Sequence, residues 1–374
     1  MPQHVVVVGA GVYGAAVTAS LTRRGARVTV VDAGAPAGGT SGATFSWINS
    51  CGKKPRAYHD LSVMSMHAHQ RLAAEVADSD WYHEGGNVEW AAGAAEREAL
   101  RVKVAGVSDI GYEARWLTRA EALRLEPDMD PAALPADEIA YFPREGWIEP
   151  TRLVGHLLSR AMARGADLVR NDAVTGLELA GGLVRTVRLA SGRQIPADAV
   201  VNCAGPRAGD VAALAGLVLP MRNTRGVLVY TSPVAVSVSR VIHAPRVHLR
   251  PDGAGRLLLH THDLDGAVSG SDTGVAGVDP AAVEMVLEAA RALYPGIQAA
   301  AVESVRVGER PIPLDGLPVL GRAVELPNFH FAVSHSGATL CAHAGDLVAA
   351  EVIGVEPGDT LGPFRFERLR SASR

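Results

Sequence analysis

The chain has 374 residues, 48% of them hydrophobic, more than one ordinary core needs and enough for roughly two domains. Its formal net charge of −4 is scattered singly, so it has no basic stripe for nucleic acid and no polybasic patch for a membrane. Cys51, Cys203 and Cys341 stand far apart without metal-ligand spacing. This argues against a disulfide framework or a bound metal and for a reducing cytoplasm, and no stretch is long and apolar enough to span a bilayer.

The opening run His4 to Val8 reads as a buried strand that breaks at Gly9, Gly11 and Gly14 into a helix extending to about Arg24. Gly9 permits the bend, Gly11 lets backbone approach a pyrophosphate, and Gly14 lets the helix lie close to the strand, with the N–H groups near Val12 and Tyr13 at its positive end. A second strand runs from Arg27 to Asp32, which stands 32 − 14 = 18 residues beyond the third glycine, where a carboxylate accepts ribose hydroxyls and disfavours a 2′-phosphate. The pattern predicts adenine-dinucleotide binding. The following loop, from Ala33 through Gly39, Thr40 and Ser41 to Thr44, is made of small residues. A loop of that kind can lie over the pyrophosphate and reach a flavin, which favours FAD over NAD.

Lys53, Lys54, Arg56, Tyr58 and His59 precede a helical run from Asp60 through Leu72, and read equally as a solvated basic turn or as part of a site. From about Gly86 the pattern changes to short strands, a charged helix from Ala95 to Val104, and a helix start with Thr118 as N-cap and Glu121 closing a capping box. A helix from Thr151 to Arg164 and a strand from Ala166 to Arg170 then resume the α/β pattern. The expectation is therefore a discontinuous cofactor domain, residues 1–85, 146–220 and 308–374, with a substrate domain of residues 86–145 and 221–307.

A hairpin from Ala173 and Val174 to Leu189 leads to the strand Ala199 to Asn202, which ends in Cys203, Ala204 and Gly205 beside the expected cofactor. Segments Val227 to Thr231, Val247 to Arg250 and Leu257 to His260 read as neighbouring strands, and Pro280 to Tyr294 as an amphipathic helix. Finally Phe329 to Val333, a turn from Ser334 to Ala338 and a helix from Thr339 to Ile353 repeat the opening arrangement. Ser336, Gly337, Ala338 and Thr339 then place a helix N-terminus at the pyrimidine edge of a flavin, where negative charge collects on reduction.

Taken in order, the glycine turn with Asp32, Gly39-Thr40-Ser41-Gly42, Asn202-Cys203-Ala204-Gly205, the stretch Gly308 to Pro318 and the turn His335-Ser336-Gly337 resemble the FAD-dependent amino-acid and amine oxidoreductases. That family includes glycine oxidase, monomeric sarcosine oxidase and D-amino-acid dehydrogenase. The resemblance implies an α/β fold in which a Rossmann-like FAD-binding domain carries an inserted α+β substrate domain built on a mostly antiparallel sheet. It implies noncovalent FAD, since no attachment cysteine is evident, although Cys341 falls near the flavin end of the last helix.

By the same resemblance, Arg310 anchors a substrate carboxylate with its planar fork, the alternative being an ion pair with Glu309 or Asp315. His248 stands where relatives carry a tyrosine and His335 where they carry a second basic residue; either can instead be a packed core histidine. Leu258 stands where sarcosine oxidases place an oxygen-activating lysine. The implied reaction oxidises the C–N bond of a small amino acid or amine by hydride transfer from carbon to flavin N5, and the imine then hydrolyses. His260 and His248 are candidate proton acceptors. A flavin monooxygenase and a nicotinamide dehydrogenase stay open as alternatives, separated by a flavin spectrum and by anaerobic bleaching with an amino acid.

Overall fold

The computed structural model describes residues 2–77, 79–269, 277–356 and 358–373. Its first large sheet has six strands in the order Val319–Ala323, Leu326–Val333, Ala199–Asn202, His4–Val8, Arg27–Val31 and Asp167–Val169. Neighbours pair in parallel except at the Val319–Ala323 edge, which forms an antiparallel hairpin with Leu326–Val333. Val5 to Val8 are buried on both faces of the sheet, which is why this strand is continuously apolar instead of alternating.

Helices Val12–Arg23, Pro150–Met162 and Gly337–Val352 pack on the face that carries Val5 and Val7. The opposite face, with Val6 and Val8, is covered by a three-stranded antiparallel sheet, Val174–Ala180, Leu183–Leu189 and Gln194–Pro196. The opening helix comes unusually close to the strand before it. A Cβ at Gly14 would collide with the carbonyl of Gly9 and lie 3.6 Å from Cys203 Cβ.

The second large sheet has eight strands, in the order Val302–Arg310, Thr224–Thr231, Arg256–His260, His248–Asp252, Val241–His243, Asn87–Glu89, Ile139–Phe142 and Arg115–Leu117. All pairs are antiparallel except Val241–His243 with Asn87–Glu89, as the expectation of a mostly antiparallel sheet requires. Period-two alternation divides its faces. Val227, Val229, Leu249, Leu257 and Leu259 pack against Val283, Val286 and Leu287 of the helix Pro280–Leu293. The other face carries Leu228, Tyr230 and Leu258, with Phe45 of the glycine-loop segment packed against them.

Two helices are longer than the sequence pattern suggests. One runs Arg56–Ala74, beginning ahead of Asp60 because Tyr58 and His59 are themselves buried, and the other runs Ala94–Ser108. The Thr118 and Glu121 capping box forms as expected.

A small sheet of Trp47–Ile48, Gly146–Ile148 and Tyr82–His83 bridges the two large ones. Beside it the buried Glu145 carboxylate accepts hydrogen bonds from Trp47 Nε1, Ser50 N, Cys51 N and Tyr112 Oη. The edge strand Val302–Arg310 is itself fastened to the glycine loop: Thr40 Oγ1 donates to Glu309 O at 2.5 Å and Arg306 Nη1 donates to Gly42 O at 3.1 Å.

Candidate active site

A cavity of about 1170 Å³ opens along the C-terminal ends of the parallel strands. Its wall brings together Gly9, Gly11, Val12 and Tyr13 of the opening turn, Asp32 and Ala33, the loop residues Gly39, Thr40 and Ser41, Ala173 and Val174, Cys203, Ala204 and Gly205, and His335, Gly337 and Ala338 of the closing turn. Gly14 stands behind the wall as a packing residue. Thr339 also lies behind it, donating to Trp47 O at 3.2 Å and accepting from Asn49 N at 3.4 Å.

The wall suits a dinucleotide. Ser41 Oγ accepts from Val12 N at 3.1 Å, so the loop is tied across the turn at a point where a Cβ on Gly11 would come within 2.9 Å of that oxygen. Asp32 accepts from Ala10 N at 2.6 Å and from Gly34 N at 2.8 Å. Its carboxylate therefore joins the turn to the loop, with lone pairs left over for hydroxyls on the cavity side. Pro206, Arg207 and Asp210 also line the wall and were not among the sequence candidates, because nothing in their local pattern marks them.

At the other end of the cavity the closing turn is crowded. Tyr13 Oη lies 2.9 Å from Ser334 Oγ, while Ser336 Oγ receives hydrogen bonds from Lys53 Nζ at 2.6 Å and Tyr58 Oη at 2.7 Å. The basic turn before the second helix is thus not simply solvated: Lys53 is placed at the start of the closing helix. His335 faces the open cavity, and its imidazole is held below its ordinary pKa by the surrounding protein and by the cations Lys53 and Arg310.

Arg310 ends the edge strand of the eight-stranded sheet, hereafter the roof sheet, and lays its guanidinium over the neighbouring strand Thr224–Thr231. Nη2 donates to Asp265 Oδ2 at 2.8 Å and Nη1 donates to Arg225 O at 2.8 Å. Its ion-pair partner is thus Asp265, a residue the sequence did not single out; Glu309 lines the cavity instead, and Asp315 pairs with Arg368. The guanidinium lies over Gly226, where a Cβ would come within 2.5 Å of Nη2.

Beyond it, His260 and His248 face each other from adjacent strands, their ring centroids 5.8 Å apart. Burial lowers the pKa of both, that of His248 to about 3, so both rings are neutral at neutral pH. His260 Nδ1 lies 3.0 Å from Val227 O. A carbonyl can only accept, so Nδ1 carries the proton and Nε2 is the acceptor. Leu258 is fully buried in an apolar cluster with Leu228, Tyr230 and Phe45.

The three thiols are buried and unpaired. Cys341 Sγ lies 3.9 Å from His69 Nε2 and 3.8 Å from Ala338 O, and burial pushes the thiol up to about 12.

The comparisons agree with this architecture. Residues 4–351 match the family described as FAD dependent oxidoreductase, DAO. A glycine oxidase of Geobacillus kaustophilus is 29% identical over 376 residues, covering 97% of this chain and 96% of its own, and one of Bacillus licheniformis is 24% identical over 379 residues, covering 99% and 98%. Among solved structures, glycine oxidase from Geobacillus kaustophilus superposes with a TM-score of 0.83 at 27% identity, covering 97% of this chain and 98% of the other. The fold is shared as well by L-proline dehydrogenase from P. horikoshii, with a TM-score of 0.83 at 18% identity covering 100% and 99% of the two chains. Among the described residues no helix is long and apolar enough to cross a membrane. With a dinucleotide cavity, a roof sheet and a match over nearly its whole length, the chain belongs to the DAO family of FAD-dependent oxidoreductases and is an amino-acid or amine oxidoreductase with FAD as its cofactor.

Proposed function

We propose that the protein oxidises the C–N bond of a small α-amino acid or N-alkyl amino acid whose carboxylate is anchored by Arg310. The observation that carries this reading is the position of that guanidinium. Its chain neighbours Glu309 and Pro311 line the cavity, although Arg310 itself is not part of that wall, and its ion-pair partner Asp265 lies 3.8 Å from His260 Nδ1, so the cation stands where the eight-stranded sheet meets the cofactor cavity. Beyond Asp265 and Arg225 O, its N–H groups have no other partner among the described residues, and a planar fork suits the two oxygens of a carboxylate.

Bound in the cavity, FAD supplies the hydride acceptor, and the C–N oxidation gives an imine that hydrolyses in water. The chain's own residues bind, orient and manage the proton. Arg310 holds the carboxylate, while the apolar cluster of Phe45, Leu228, Tyr230 and Leu258 keeps water from that part of the roof. Of the two roof imidazoles, His260 is better suited to take the ammonium proton, because the nearby Asp265 charge favours its protonated form. His248, with its pKa lowered to about 3 by burial, is too weak a base for that task.

The cofactor is proposed to be noncovalent, as Cys341 points to His69 and Ala338 with its thiol protonated. Free buried thiols support a reducing cytoplasm. The division into residues 1–85, 146–220 and 308–374 against 86–145 and 221–307 is likewise proposed, its last boundary falling inside the strand Val302–Arg310 that delivers the anchor.

Anaerobic flavin reduction against amino-acid concentration tests the proposal. Losing a charge-assisted hydrogen bond of about 1.5–3 kcal/mol, Arg310→Ala should bind substrate about ten- to a hundredfold more weakly and keep its flavin. Arg310→Lys should recover only part of the affinity. Unchanged affinity in the alanine variant, or an equal loss for a carboxylate-free amine, would show that Arg310 is a structural partner of Asp265 only.

A further inference from the structure

The roof sheet carries more imidazole than the proposed reaction uses. His243, His248 and His260 occupy one face of three adjacent strands, in register, and His262 follows on the helical turn His262–Asp265. Ring centroids are 4.5 Å apart for His243 and His248, 5.5 Å for His248 and His262, and 5.4 Å for His260 and His262. His262 and Asp265, three residues apart on a helical turn, face the same way. His260, His262 and Asp265 each offer a ligand atom, and these atoms lie within 4.8 Å of one another.

What separates this group from a chance cluster is how it is held. The backbone of one residue orients two of its members: Val227 O accepts from His260 Nδ1 at 3.0 Å, and Val227 N donates to Asp265 Oδ1 at 2.9 Å. Fixing Nδ1–H on a carbonyl leaves Nε2 of His260 as the lone-pair donor, the arrangement that holds metal-ligating histidines in one tautomer. Arg310 steadies the second oxygen of Asp265. His260 is buried and His262 exposed, so an ion has a path from solvent.

We propose that His260, His262 and Asp265 form a binding site for a borderline divalent transition-metal ion of the Zn²⁺ or Ni²⁺ class, whose occupation excludes the amino-acid substrate. Two imidazoles and one carboxylate suit such ions and leave coordination positions open, whereas Mg²⁺ and Ca²⁺ prefer all-oxygen sites. The bound ion draws on the carboxylate that positions Arg310 and on the imidazole proposed to take the substrate's proton. The inhibitory half of the proposal rests on the substrate cavity as read above; the binding half does not.

The test is calorimetric titration of the chelator-treated, flavin-loaded protein with Zn²⁺, together with anaerobic flavin reduction at fixed Zn²⁺. One equivalent should bind per chain, with affinity lowered at least about tenfold in His262→Ala and in Asp265→Asn, both checked for retained flavin. Zn²⁺ should raise the amino-acid concentration needed for half reduction in the wild type and not in His262→Ala. Superimposable titrations of wild type and His262→Ala overturn the site. Tight, His262-dependent binding with no effect on substrate concentration dependence overturns the inhibition alone. If no amino acid reduces the flavin, the reaction proposed above has failed while the calorimetric result still decides the site.

Discussion

At the scale of single residues, the anchor proposed at Arg310 depends on a side chain that is missing. Gly226 sits under the Arg310 guanidinium, and alanine there would meet Nη2 at 2.5 Å. The substitution must push the fork away from Asp265 and Arg225 O without touching the cofactor wall. Misplacing one charge-assisted hydrogen bond worth about 1.5 kcal/mol weakens binding about tenfold. Gly226→Ala should therefore lose about tenfold in amino-acid affinity and retain its flavin content; an unchanged half-saturation concentration would mean that the observed rotamer is not the one that binds substrate. Asp265 and Gly226 were both illegible in the sequence. Their importance comes from Arg310, which reaches them only through pairing between strands distant in the chain, whereas the Gly9 to Gly14 turn and Asp32 belong to one local strand-turn-helix-strand unit and can be read directly.

At the scale of elements, the turn after Trp47–Ile48 is organised by one buried carboxylate. Glu145 receives two backbone N–H groups from Ser50 and Cys51, with Trp47 Nε1 and Tyr112 Oη completing its shell. Burial raises its pKa, with the Tyr112 hydrogen bond and Lys103 opposing. An amide at this position would turn an NH₂ toward donors. Glu145→Gln should thus destabilise the protein by about 3 kcal/mol, seen as a lower urea midpoint. A midpoint equal to wild type would show that the turn holds without it. Lys53 lies on the same connection, which explains why its role escaped local reading: the basic turn reaches Ser336 of the closing helix only after the chain between Trp47 and Arg56 is folded back.

At the scale of the whole molecule, histidine protonation sets the acid limit. Ten of the 13 histidines have lowered pKa values, among them His69 and His330 at about 4 and His248 at about 3, chiefly because they are buried. Between the unfolded value of 6.5 and these folded values the unfolded chain binds more protons, so stability is full above about pH 6.5 and is lost as pH falls. Glu126, Glu145 and Glu149 are shifted up by burial and act with the opposite sign, but they are fewer. The melting temperature should fall steadily from about pH 7 to about pH 5; a flat or rising profile would contradict the buried neutral state of these rings.

The order of strands in the parallel sheet has a further consequence, for the growing chain. Val5 pairs with Ala199, and Val200 pairs in turn with Phe329. During synthesis the apolar first strand leaves the ribosome with its partner on one side more than half a chain away, and the sheet closes only when the last strands arrive. Such long-range parallel pairing is entropically slow and leaves an open edge. Until Ala199–Asn202 is made, Val5 to Val8 is an open template for wrong partners, and the hairpin Val319–Ala323 with Leu326–Val333 arrives last to cover the edge that Ala199–Asn202 then presents.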